Sequence, residues 1–237
     1  KTLRLGMVDT GPVDGGLCRY RIGHLGLLAE RTRLNYESAR YKLNLMVPLV
    51  DFSPIENLEI PIYLAAIGPR ICETASEGDD GKSPHPVSTP KFICDIMLPA
   101  AAKGIARSER SMDYFAVPMK PMVATAADVE TLAERVRDAC ARIALYASTP
   151  AYSRAFDIHG LTDLTVDLAQ LSQAQHWKDM PDRIFDEVLH TYVTNATYDE
   201  ISTKLTERHG DVVTGVEFSI LARMEAEREC FDERDTA

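Results

Sequence analysis

Pro61-Ile-Tyr-Leu-Ala-Ala-Ile-Gly-Pro-Arg-Ile-Cys-Glu-Thr-Ala-Ser-Glu-Gly-Asp-Asp-Gly81 is the stretch that decides how this chain folds. Ile62 to Ile67 is an apolar run without alternation, the pattern of a strand buried on both faces. Gly68-Pro69-Arg70 stops it, since proline has no N–H for a ladder and suits the first turn of a helix. Ile71 to Glu77 reads as that helix, and Gly78 to Gly81 ends it. The unit is therefore strand, tight turn, helix and a Gly-Asp exit. In α/β proteins ligands bind at the turn after a strand's carboxyl end. Arg70, beside the unpaired N–H groups that open a helix, has the chemistry to hold a phosphate. A plain βα turn with Arg70 as a solvated charge is the other reading of the same residues.

The alternation of strand and helix continues on both sides. Thr2 to Val8 reads as a strand leading into Asp9-Thr10-Gly11-Pro12 and then Asp14-Gly15-Gly16. Glycines there let backbone N–H groups approach an anion, but their spacing matches neither the dinucleotide nor the P-loop pattern. Leu25 to Arg33 reads as a helix and Asn35 to Val47 as a hairpin or irregular excursion. Thr89-Pro90 is a helix start, with threonine as N-cap and proline in the first turn. Ile93, Ile96, Met97, Ala100 and Ala101 follow at helical spacing, and Gly104 with the polar run Arg107 to Asp113 closes that element. Tyr114 to Thr125 reads as a strand despite Pro118 and Pro121. Asp128 to Tyr146 is the clearest amphipathic helix, with Val129, Leu132, Val136, Ala139, Cys140, Ile143 and Ala144 on one face. After an interruption over Ser148 to Gly160, helices are expected over Leu164–Gln173, Asp182–Leu189 and Tyr198–His209, the last ended by Gly210. Strands are expected over Thr191–Thr194 and Gly215–Ile220. Apolar strands alternating with helices mean α/β with parallel pairing. Neither a repeat nor a linker divides residues 1–237, which read as one domain with an acidic tail over 222–237.

The 237 residues carry 45% hydrophobic and 26% charged side chains, ordinary for a soluble globular chain. The net charge of −10 argues against nucleic acid as a partner, because phosphate contacts need clustered Lys and Arg. No apolar run reaches the length of a membrane span, and the first residues do not read as a charged-then-apolar leader, so no signal peptide is expected from them. Five cysteines without C-x-x-C spacing point to a reducing cytoplasm rather than to disulfide or zinc frameworks. No two of the six histidines stand at metal-ligand spacing.

The order of segments resembles the luciferase-like monooxygenase superfamily, in its branch that uses the deazaflavin coenzyme F420. Leu3-Arg-Leu-Gly6 is similar to that family's strand ending in a Leu-Gly-x-Gly loop. Pro61-Ile-Tyr-Leu-Ala with Gly68-Pro-Arg70 resembles its sixth barrel strand and the turn beyond. Ala75-Ser-Glu-Gly-Asp-Asp-Gly81 resembles its Ala-Gly-Glu-x-Ala-Asp-Gly segment. His85-Pro86, Thr89-Pro-Lys91, Leu98-Pro99, Ser148-Thr-Pro-Ala-Tyr152, His159-Gly160, Trp177, Met180 and Asp186-Glu-Val-Leu189 follow in family order. Val8-Asp9 departs from the pattern where the family has its second glycine.

The resemblance implies a TIM barrel, here represented from about its fifth strand onward, with the active site at the carboxyl ends of the strands. It implies hydride transfer between F420, or alternatively FMN, and an organic small-molecule substrate. Gly68, Arg70 and Gly81, with Thr10 and Gly11 behind them, are the expected contacts to the cofactor's phosphate tail. A non-catalytic relative that binds a partner chain or the cofactor tail is the alternative, since a half barrel exposes strand edges that invite pairing into a homo-oligomer such as a dimer. Tyr152 and Arg154 are candidates to line a substrate pocket, although Ser148-Thr149-Pro150 also reads as a helix cap. His159 is the one candidate proton donor, against a structural role. Trp177 reads as a packing anchor, His85 as part of a rigid turn and Cys72 as a small packing residue. The adjacent acids Asp79-Asp80 and Asp186-Glu187 diverge too much to act as dyads.

Overall fold

A computed structural model of the chain describes residues 36–37, 42–43, 61–65, 67–108 and 110–217. The expectations for Thr2–Val8, Thr10, Gly11, Leu25–Arg33 and the 222–237 tail lie outside the described residues, as does the end of Gly215–Ile220.

Asn35–Val47 contains the expected hairpin: β1 (Tyr36–Glu37) pairs antiparallel with β2 (Lys42–Leu43). The opening stretch forms β3 (Tyr63–Ala65), α1 (Pro69–Gly78) and β4 (Gly81–Ser83), with β3 and β4 parallel. β3 is shorter than its apolar run and is not buried on both faces. Leu64 packs against a cluster that includes Ala75 of α1 and Ala101 and Ile105 of the next helix, while Tyr63 and Ala65 are exposed. One face of this strand meets helices and the other meets no covering layer among the described residues.

α2 (90–108) begins at Thr89, whose Oγ1 accepts from the Phe92 N–H. It has a π-helical turn over Ile93–Met97 and is α-helical again over Leu98–Ser108. The expected stop at Gly104 is wrong. A Cβ there would lie 2.0 Å from the Glu73 carbonyl oxygen, so glycine is present because α1 crosses α2 at that point. Arg107 ties the same helices together through Glu77 and Glu73.

The expected strand Tyr114–Thr125 is divided. Pro118 opens β5 (Pro118–Met119), Pro121 interrupts pairing, and β6 (Met122–Ala126) follows. α3 (Val129–Ala147) is capped by Asp128, whose carboxylate accepts from the Thr131 N–H at 2.8 Å. Then come α4 (Ser153–Asp157), α5 (Thr162–Gln173), α6 (Asp186–Tyr192), β7 (Val193–Thr197), α7 (Tyr198–His209) and β8 (Gly215–Val216).

Two sets of parallel strands result. β3 pairs with β4, β4 bridges to Ala116 just before β5, and β5 pairs with β8. β3, β4 and the approach to β5 are neighbours in chain order, as in a (β/α) barrel, but β5 then pairs with β8 rather than β6, and the described strands do not close a barrel. β6 and β7 pair separately over five residues in parallel. The main core lies between these strands and α2 to α6, built on Phe92, Ile93, Ile143, Phe156 and Leu168. Among the described residues no helix is long and apolar enough to cross a membrane.

Candidate functional site

The carboxyl ends of β3 and β4 lead into the two turns that matter most. Gly68 is the N-cap of α1, and its carbonyl accepts from the Cys72 N–H at 3.2 Å. Its φ of −77° is open to any residue, and a Cβ there would meet nothing within 4 Å. Neither backbone nor packing requires glycine, so the bare position leaves room over the start of a ten-residue helix. Arg70 is exposed beside it. That is a turn able to accept an anion: helix N–H groups, a nearby guanidinium and no side chain in the way.

Gly81 is different. It stands at the amino end of β4, away from that turn, and a Cβ there would lie 2.3 Å from the Ala116 carbonyl oxygen and 2.8 Å from the Tyr63 ring. Close strand approach accounts for this glycine. The structure does not bring Gly81 together with Gly68 and Arg70.

After β4, His85 lies in an aromatic group that the sequence did not reveal. Its ring stacks on Tyr152 at 4.3 Å and meets Tyr146 edge-on at 4.8 Å. The Val87 N–H donates to His85 Nδ1 at 3.3 Å, which leaves Nε2 to carry the proton in the neutral ring. Burial pushes the His85 pKa below its usual value and so favours that neutral form. Tyr146 belongs to α3 and Tyr152 to the 3-10 turn Pro150–Tyr152. Their 61- and 67-residue separation from His85 is why sequence spacing could not find the group. Arg154, the other expected pocket residue, is exposed on α4.

His159 is tied to the frame. Its Nε2 lies 2.8 Å from Thr89 Oγ1, the hydroxyl that caps α2, and its ring meets Tyr192 edge-on. Burial lowers its pKa, with the charges of Lys91 and Arg208 adding to the effect. Tyr192 donates to the Ala155 carbonyl at 2.9 Å, and burial raises its phenol pKa. Arg208 donates to the backbone carbonyls of His190, Thr191 and Val193 and so fixes the entry to β7.

Two expectations need correction. Trp177 is 62% exposed, its indole N–H donating to the Ser172 carbonyl, so it anchors no core. Cys72 is buried but is not merely a packing residue, because Lys82 Nζ donates to its Sγ at 2.6 Å. Cys72, Cys94 and Cys140 are free thiols. Among the described residues no cluster of three His, Cys, Asp or Glu side chains offers a metal site.

Residues 24–215 match the sequence profile of a family described as luciferase-like monooxygenase. The chain is 33% identical over 202 residues to uncharacterized protein Rv1360 of Mycobacterium tuberculosis and to uncharacterized protein Mb1395 of Mycobacterium bovis. The match takes in 85% of this chain and 58% of each relative, so the chain spans little more than half their length. Among solved structures it is similar to coenzyme F420-dependent tetrahydromethanopterin reductase from Methanopyrus kandleri, with a TM-score of 0.68 and 19% identity over 88% of this chain and 58% of that one. It is also similar to an F420-dependent secondary alcohol dehydrogenase in complex with an F420-acetone adduct, with a TM-score of 0.54 and 10% identity over 81% and 52%. At these identities the likeness shows the fold.

Proposed function

The chain belongs to the luciferase-like monooxygenase family, and from that membership we propose that it serves an oxidoreductase that moves a hydride between coenzyme F420 and an organic substrate. FMN is the alternative cofactor. The observation that carries the reading is the turn at Gly68-Pro69-Arg70, where a glycine that nothing in the fold requires stands before an exposed arginine at a helix start. Two solved relatives of the same fold are F420-dependent.

The cofactor supplies the redox chemistry when bound. This chain's residues would hold its anionic tail and shape the site. The N–H groups at the start of α1 and the Arg70 guanidinium receive a phosphate, and the missing Cβ of Gly68 lets it come close. The rings of His85, Tyr146 and Tyr152 make a rigid apolar wall with polar edges, able to exclude water from a neighbouring ring. Neutral His85, with its proton on Nε2, is a hydrogen-bond donor within that wall. His159 positions Thr89 and the α2 start rather than moving protons.

The test is titration of the purified protein with oxidised F420 and with FMN, followed by absorbance and fluorescence. Saturable binding of F420, weakened in Arg70→Ala, supports the proposal. No saturable change with either cofactor sinks it.

A second reading is a relative that binds a partner chain, or the cofactor tail, without turnover. The exposed Tyr63 and Ala65 favour it, since that strand face is the one a closed barrel or a partner would cover. Sedimentation decides the partner question: a monomer across concentration counts against a homodimer.

A further inference from the structure

The buried pair Cys72 and Lys82 belongs to no part of the cofactor reading. Cys72 is 0% exposed and Lys82 1%. Lysine is almost never fully buried without a partner of opposite charge. Here, among the described residues, the only group that hydrogen-bonds to Nζ is the thiol. The separation of 2.6 Å is shorter than an ordinary N–H···O bond of about 2.7–3.2 Å, although sulfur is the larger atom. Sγ in turn lies 3.2 Å from the Gly68 carbonyl oxygen. β4 holds the amine, the first turns of α1 hold the thiol, and the β3–β4 pairing fixes both.

We propose that Cys72 and Lys82 are the site of an oxidant-made covalent bridge, Cys72 Sγ–O–Nζ Lys82, with hydrogen peroxide as oxidant. The Cys72 sulfur attacks one peroxide oxygen, the O–O bond breaks, the thiol proton passes to the leaving hydroxide, and sulfenic acid and water form. The amine nitrogen attacks a second peroxide, giving a hydroxylamine and water. The hydroxylamine oxygen then displaces hydroxide from the sulfenic sulfur, and a third water leaves. Overall, one thiol, one amine and two peroxides give one bridge and three waters. The amine reacts in its neutral form, which burial favours. Local opening of α1 admits peroxide, which is small enough to follow water. Four electrons and four protons from two equivalents of a dithiol return thiol, amine and water.

The sequence supplies a direct readout. No Lys or Arg lies between Ile71 and Lys82, or between Ser83 and Lys91. Trypsin therefore releases residues 71–82 from the reduced protein. A bridged Lys82 is no longer a cleavage site, and the product becomes 71–91. Its mass exceeds that of the unmodified 71–91 by one oxygen less two hydrogens, about 14 Da, whereas sulfinic acid adds about 32 Da. The purified protein is treated with graded peroxide, digested under non-reducing conditions and mapped by mass spectrometry, with the exposed Cys94 confirming that oxidant acted. The expected result is the 71–91 product carrying the added mass of about 14 Da, its loss after dithiol, and, in Lys82→Met, a 71–91 peptide (released there with or without oxidant) that never carries that added mass. The proposal is overturned if Cys94 oxidises while 71–82 is still released, whether Cys72 is then reduced, sulfenic or sulfinic. The wild-type map decides the matter even where Lys82→Met fails to fold.

Discussion

His209 should make this fold acid-sensitive in a narrow window. It stands in the last turn of α7, 2% exposed, and among the described residues its Nδ1 has no hydrogen-bond partner. Burial, and then the charge of Arg208, lower its pKa from 6.5 to about 4. Unfolding returns the ring to water, where it again titrates near 6.5. A depressed folded-state value means the unfolded chain binds the extra proton first. The neutral ring's contribution is therefore complete above about pH 6.5 and is lost as pH falls toward 4. At about 1.4 kcal/mol per unit, the full loss is about 3.5 kcal/mol, and moving from pH 7 to pH 5 removes about 2. That is a large part of a typical stability of about 5–15 kcal/mol. Urea unfolding of wild type and His209→Leu at both pH values measures it. The wild type should lose about 2 kcal/mol more than the variant over that interval. His85 and His159, also lowered by burial, titrate in both proteins and cancel in the difference. Equal pH dependence in wild type and variant would refute the reasoning.

Arg70→Ala should weaken F420 binding about 10- to 100-fold, the worth of one charge-assisted phosphate contact at about 1.5–3 kcal/mol, with an unchanged melting temperature. The two glycines should separate by the same pair of measurements. Gly68→Ala fits its backbone angles and open space, so stability holds or rises by about 0.4–1 kcal/mol while cofactor affinity falls. Gly81→Ala meets backbone at 2.3 Å and should cost about 1–3 kcal/mol of stability. Thr89→Val removes both the α2 cap and the His159 contact, and thermal or urea unfolding should show a loss of about 1–2 kcal/mol.

What the sequence revealed was local. Thr89-Pro90 and Asp128 cap helices because their side-chain oxygens satisfy the first free N–H groups, a rule that acts within three residues. Tyr198–His209 with Gly210 was legible for the same reason, and the helix has those bounds. The parallel α/β class followed from apolar strands alternating with helices. Gly104 misled because its cause is a carbonyl 31 residues earlier in the chain, on α1. The strand over Tyr114–Thr125 split because its two halves pair with different strands, and Pro121 marks the division. The candidate site was half legible. Gly68-Pro69-Arg70 is contiguous and carries its chemistry in one turn. The His85–Tyr146–Tyr152 group is assembled from a loop, a helix and a 3-10 turn, and no periodicity encodes it.

The first turns of α1 carry more than an anion turn needs, and their chemistry is coupled. The Gly68 carbonyl takes the Cys72 N–H and lies within reach of its thiol, and that thiol touches Lys82. A phosphate at the Gly68–Arg70 turn would lie near this amine and favour its charged form, opposing the burial that lowers its pKa. An anion at the turn therefore favours the protonated amine, whereas the Sγ–O–N bridge forms from the neutral one. A bound cofactor tail should slow bridge formation. Lys82, which follows the Gly78–Gly81 exit and is not singled out in the sequence, links the two.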